Sequence, residues 1–269
     1  MDRKTPLVLT QKEFPRRVFL AEGTRLLTLG GLGALAGTLA WPELGMAQDW
    51  KALSKTKLEG GHGTVKEVKG RATAASRPLK KGSRVESGEQ IQVARDGLVI
   101  LSLSDNTIMR INGNTTLTLE IGRNRQGFFK LLAGSLLTVM PTRNRYLVKL
   151  PTAVIGIKGT VFFQQIYHPE ERTAMGMENK SYTIPEGISE YFCLCNGTAD
   201  FTNAKTLGTF FTDKADHHNS YYIDPSKENP LVKAPMLNHV DEEIRQLIQL
   251  QDGPKHKSGF LDKYESQGP

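Results

Sequence analysis

Cys193 and Cys195 are the only two thiols in a chain of 269 residues, and a single residue separates them. Glu190 to Cys195 has the aromatic-rich pattern of a β-strand, so both thiols point to one face. His217 and His218 follow as a pair, and His239 comes later with Asp241 close by. Two thiolates with one or two imidazoles form a tetrahedral site for zinc or a soft site for copper, and iron also accepts these donors. Cys193, Cys195, His217, His218 and His239 are therefore the expected metal ligands. The spacing differs from that of zinc fingers, whose cysteines are parted by about two to four residues. The Cys-x-x-Cys-His haem attachment is absent. A disulfide between thiols this close on one strand is strained. Outside the cytoplasm unpaired thiols oxidise unless something protects them, and a bound metal does so. The competing reading is two cysteines that simply fill a core.

The flanking sequence suggests what positions these groups. Asn196-Gly197 follows the strand, and Thr198 to Phe201 returns from it, the pattern of a tight hairpin. An amphipathic helix opens around Asn238 to Asp241, with Val240, Ile244, Leu247 and Ile248 on one face. Asn238 can cap it, and Asp241, Glu242 and Glu243 suit its positive end. Pro169 to Gly187 reads as a long polar loop. His62, His168 and His256 fall in loops or tail and read as surface residues. Phe162 and Phe163 read as core. No nucleophile elbow, His-Glu-x-x-His helix or dinucleotide fingerprint occurs, and no carboxylate pair stands out, so the chain is not expected to be an enzyme.

Upstream, Gly60 to about Gln165 is a series of short apolar runs with turn signals between them. Ile91 and Val93 precede Asp96-Gly97. Leu98 to Leu103 reaches Asp105-Asn106, and Ile108 to Ile111 reaches Asn112-Gly113-Asn114. Phe128 to Leu131 is broken at Gly134 before Leu136 to Val139. The expected fold is all-β: a compact sandwich or roll of short strands, with a C-terminal β-hairpin and one amphipathic helix. The run from Leu150 to Phe162 reads as strand, tight turn at Gly156 to Gly159, and strand again. Its glycine and lysine spacing is not that of a phosphate loop. A formal charge of +7 lies over the whole chain without a basic cluster interleaved with aromatics, so nucleic acid is not an expected partner.

These positions resemble the FecR domain. Gly63, Val65, Val68 and Gly70 resemble its opening, Leu79 and Gly82 its next element, and Asp105-Asn106-Thr107 its Asp-Gly-Ser turn. Leu132, Gly134 and Leu136 follow. Ala153-Val154-Ile155-Gly156 and Lys158-Gly159-Thr160 resemble its signature ending. The resemblance implies an all-β extracytoplasmic module that binds or relays a signal without catalysis. In the best-known members a cytoplasmic anti-sigma segment and one membrane span precede this region, which receives its signal from a siderophore transporter. Only fifteen residues precede Arg16, too few for such a segment, so direct sigma-factor control is not expected. The expected partner is another envelope protein. Metal or redox binding, and envelope polysaccharide or peptidoglycan binding, are the alternatives.

The N-terminus is similar to a twin-arginine export signal. Arg16-Arg17 precede Val18-Phe19-Leu20, then a glycine-rich apolar stretch to Trp41, then Gly45-Met46-Ala47 as a cleavage site. Pro15 and Ala21 depart from the usual form, so the Sec route and a retained anchor stay open. The expected organisation is a signal peptide at 1–47, a linker at 48–59, the FecR domain at 60–166, a C-terminal extension at 167–251 and a disordered tail at 252–269. No later stretch reaches the ~18 consecutive apolar residues of a membrane span. The expected location is periplasmic or otherwise extracytoplasmic.

Overall fold

The computed structural model describes residues 60–122, 125–176, 178–203, 209–227 and 229–251. The expected export signal, linker and tail lie outside these residues. The described elements are β1 (His62–Lys69), β2 (Ala72–Ala74), β3 (Arg77–Pro78), β4 (Arg84–Glu86), β5 (Gln90–Val93), β6 (Leu98–Leu103), β7 (Ile108–Ile111), β8 (Thr115–Ile121), β9 (Gln126–Val139), β10 (Arg145–Lys149), β11 (Ala153–Ile166), β12 (Thr173–Met175), β13 (Ser181–Thr183), β14 (Glu190–Asn203), β15 (Thr209–Ala215), β16 (Asn219–Ile223), β17 (Leu231–Lys233) and the helix α1 (Asp241–Leu250). Among the described residues the all-β class with a single helix is as the sequence suggests. Among the described residues no helix is long and apolar enough to cross a membrane.

Three strands of fourteen residues organise the sheet: β9, β11 and β14. Each passes from one layer to a second. The first part of β9 pairs with β8 and, in parallel, with β10; its last part pairs with β7 and β11. The first part of β11 pairs with β10 and the end of β14; its second part pairs with the end of β9 and the start of β14. β14 then meets β16 with its first residues and β15 with its last. One layer thus contains β2, β3, β5, β8, β10 and β15, and the other β1, β4, β6, β7, β16 and β17. β12 and β13 form a separate ribbon, so the Pro169–Gly187 region is not purely loop.

The passage between layers occurs at glycines. Gly134, Gly159 and Gly197 all have positive φ, at 81°, 51° and 106°. Pairing registers shift beside each of them, which is the signature of a bulge that bends a strand. Three expectations are corrected here. Gly134 does not end a strand, Gly156 to Gly159 is not a turn between two strands, and Asn196-Gly197 is not a hairpin tip. In each case glycine supplies a bend within a continuous strand. The shorter signals do mark turns: Asn106 and Asn114 sit there with φ of 68° and 57°.

Apolar side chains form two layers of core. Between the strand layers lie Val65, Leu101, Leu117, Phe129, Tyr146, Ile155, Phe162, Phe192 and Phe201. Phe192 meets Phe162 and Phe201 with ring centroids 5.7 and 5.3 Å apart. On the outer face of the second strand layer a further cluster joins Ile108, Leu137, Val139, Phe163, Tyr191, Cys193 and Cys195 to Ile244, Leu247 and Ile248 of α1. Alternation along β14 explains the split. Phe192 and Leu194 point inward, while Tyr191, Cys193 and Cys195 point outward under the helix. Val240, expected on the apolar face, lies before the helix and is exposed. Asn238 does not cap it; its side chain accepts the Met175 N–H. His168 is half-buried rather than on the surface.

Buried Glu190 opens β14 and accepts hydrogen bonds from the Thr152 N–H and hydroxyl at 2.9 and 2.8 Å. Burial dominates these bonds and raises its carboxyl to about 7. Because the folded-state value lies above the ordinary one, this residue's contribution is full below about pH 4.5 and is lost as the pH rises through about 7. Glu190→Gln removes that loss. The stability of the variant relative to the native chain should therefore rise between pH 5 and pH 8 by about 2.5 kcal/mol. Urea unfolding of both proteins at several pH values measures it. A difference independent of pH would mean that the carboxylate is equally solvated in both states.

Candidate metal centre

Cys193 and Cys195 have no exposed surface, and their Sγ atoms lie 3.8 Å apart. Two histidines close on them from different segments. His218, in the turn between β15 and β16, places Nδ1 3.4 Å from Cys193 Sγ. Its backbone has a φ of 40°, and its N–H donates to the Cys195 carbonyl. His239, just before α1, places Nε2 3.4 Å from Cys195 Sγ. Its ring stacks on Phe163 of β11 at 4.5 Å and 12°. The four donor atoms lie within 4.8 Å of one another.

The two sulfur–nitrogen spacings of 3.4 Å and the sulfur–sulfur spacing of 3.8 Å fit edges of a tetrahedron. Bonds of about 2.3 Å to sulfur and about 2.0 Å to nitrogen give edges of about 3.8 Å between two sulfurs and about 3.5 Å between sulfur and nitrogen. The remaining ring nitrogens are also engaged. His239 Nδ1 lies 2.7 Å from the Leu237 carbonyl, which only accepts, so Nδ1 carries the proton and Nε2 presents a lone pair to the thiols. His218 Nε2–H donates to Asp241 Oδ1 at 2.6 Å, leaving Nδ1 to face Cys193. A carboxylate or carbonyl behind each imidazole is the usual outer support of a metal-bound histidine.

The electrostatics distinguish the two thiols. Burial raises Cys193, but the Cys195 S–H donated to it and the nearby histidines outweigh burial and hold it well below the ordinary thiol range. Burial and the neighbouring Cys193 push Cys195 well above that range. His218 loses basicity to burial but gains more from Asp241 and Cys193, and is raised to about 9. Asp241 is lowered because His218 and His217 outweigh its burial. Cys193 is thus the thiol poised to ionise, and a cation bound between the two sulfurs would displace the proton that Cys195 donates to it.

Of the five expected ligands, the structure brings together four: Cys193, Cys195, His218 and His239. His217 is not in this group. Its Nε2 lies 3.2 Å from Asp241 Oδ2, on the solvent side. The sequence reading missed the role of Asp241, which supports both histidines of the pair. The available signal was a carboxylate two residues after His239 at a helix start.

Residues 89–178 match the model of the FecR protein family. The chain carries a FecR domain. A solved structure of a "putative anti-sigma factor" from Parabacteroides distasonis ATCC 8503 aligns with a TM-score of 0.39 and 11% identity, over 55% of this chain and 59% of that one. No curated protein matches the chain significantly. The matched FecR residues include β6, β7, β9 and β11, the strands beneath α1 and His239. The four clustered donors all lie after the match, in the C-terminal extension. Phe163, on which His239 stacks, belongs to the FecR domain itself.

Proposed function

We propose that this protein is a non-catalytic binding or signal-relay module of the cell envelope, in which one zinc ion ties the FecR sheet to the C-terminal extension. The observation that carries the zinc centre is the convergence of Cys193, Cys195, His218 and His239, whose donor atoms all lie within 4.8 Å of one another, with the second nitrogen of each imidazole already hydrogen-bonded. Four protein donors leave no open coordination position, which favours a structural ion over a catalytic one. Zinc suits two thiolates and two imidazoles and undergoes no redox change, so it protects the thiols outside the cytoplasm. The FecR match supports a regulatory module that works through another protein. The Arg16-Arg17 signal pattern supports export, and an envelope protein is the proposed partner.

Elemental analysis of the exported, untagged protein tests the centre. One equivalent of zinc per chain is expected, with two thiols that resist alkylation until a chelator is added. Metal well below one equivalent, with thiols equally protected before and after chelation, would overturn the reading and leave two packed cysteines.

A further inference from the structure

We infer that the outer face of β6, β7 and β9 is a docking surface for an amphipathic helix of a partner protein, and that α1 covers this surface while the metal is bound. The inference rests on the zinc centre proposed above. The face comprises Ile100, Ile108, Leu137 and Val139, and α1 closes it with Ile244, Leu247 and Ile248. Arg110 of β7 lies at the rim and pairs with Glu243 at 2.6 Å.

The helix is a poor candidate for permanent attachment. It has ten residues, whereas isolated helices shorter than about 12–15 residues are marginal in water. Its last turn carries no basic residue to offset the negative end. Its N-terminal hold is shared between the Glu243–Arg110 pair and the metal centre. His239 lies two residues before it and Asp241, its first residue, accepts from His218. The strap before it is fixed separately. Tyr191 donates to the Pro235 carbonyl and accepts the Leu237 N–H, and Asn238 exchanges hydrogen bonds with Met175. Loss of the metal therefore frees the helix about residues 238–240 and leaves the strap and sheet in place.

The present occupant defines the one that replaces it. A partner helix needs apolar residues at i, i+3 and i+4, as in Ile244, Leu247 and Ile248, and a carboxylate just before them to meet Arg110. This charge requirement selects an acidic amphipathic helix over a basic, membrane-seeking one.

Hydrogen exchange on the full chain, metal-bound and stripped by a chelator, tests the inference, with elemental analysis alongside. Residues 241–250 and β7 should lose about 100-fold in protection, the effect of a ligand present at about 100 times its dissociation constant. β10 and the first part of β11 should lose no more than the global stability that the metal supplies. A fluorescent peptide with the sequence of residues 238–251 should bind the stripped protein and not the metal-bound one. Reversing Glu243 to Arg in the peptide should weaken binding, and Arg110→Glu in the protein should restore it. Unchanged protection of α1 after proven metal loss would overturn the gate while the zinc centre stands. Equal exchange rates in α1 and throughout the sheet of the stripped protein would overturn it as well, because the helix would not open separately. A stripped protein that pairs with a second copy through exchanged helices would assign the face to self-association and overturn the partner claim. A native protein without metal would sink the zinc centre and this inference together.

Discussion

Cys193→Ser should lower the unfolding free energy of the metal-saturated protein by about 4 kcal/mol, the contribution of a ligand at about 1,000 times its dissociation constant. Serine is nearly the same size, so packing changes little, but its hydroxyl is a hard, weak donor for a thiolate-selecting site. The pattern across variants is more telling than one value. In a metal centre the first ligand lost removes most of the stabilisation. Adding His239→Ala to Cys193→Ser should then cost only the stacking on Phe163 and local packing, far less than His239→Ala does alone in the metal-bound protein. With chelator present the native chain and Cys193→Ser should unfold within about 1–2 kcal/mol of each other, the scale of an ordinary buried polar substitution. Urea titrations of the single and double variants, with and without chelator, give these values. Additive losses that chelator does not change would identify an ordinary core pair.

Gly159→Ala should cost about 4 kcal/mol, combining a backbone cost with a core-type clash. Gly159 has a φ of 51°, where a side chain is disfavoured. A Cβ there would also lie 2.2 Å from the Thr142 Cα, a backbone atom that cannot rotate away. Gly82→Ala separates the two effects. Gly82 has a φ of 83° but nothing within 4 Å of an added methyl, so only the backbone cost of about 1–2 kcal/mol remains. Urea unfolding of both variants beside the native chain gives the two costs. Equal losses would show that Thr142 moves freely and that the bend tolerates a side chain.

The residues that make these predictions differ in how legible they were. Ile91, Val93, Leu98 to Leu103 and Ile108 to Ile111 alternate or cluster between asparagine and glycine turns, and the strands lie where that pattern places them. The same glycine signal misled at Gly134, Gly159 and Gly197. Glycine marks a need for unusual backbone angles, and a bend inside a paired strand satisfies it as well as a turn between two strands. Only the neighbouring strands decide which, and they come from distant sequence. Placing Cys193 and Cys195 on one strand face required only the two-residue period. Their pairing with His218 and His239 was suggested by chemistry alone. Spacing could not tell His217 from its neighbour, because adjacent residues in a turn point different ways. The strand pairing that swings His218 toward β14 and leaves His217 with Asp241 made the choice.

The length of β14 has a further consequence. It runs beside β11 from Ala153 to Ile166 and satisfies that strand's outward-facing backbone groups. A chain ending with the FecR match at residue 178 would present β11 as a sheet edge of fourteen residues, long and rich in apolar side chains. Such an edge recruits any free strand, including one from an identical molecule. The extension moves the boundary outward to β15, with seven residues, and β17, with three. Pro230 precedes β17 and Lys233 ends it, two residue types that discourage strand addition. The segment that contributes the four clustered donors thus also covers the longest edge of the sheet.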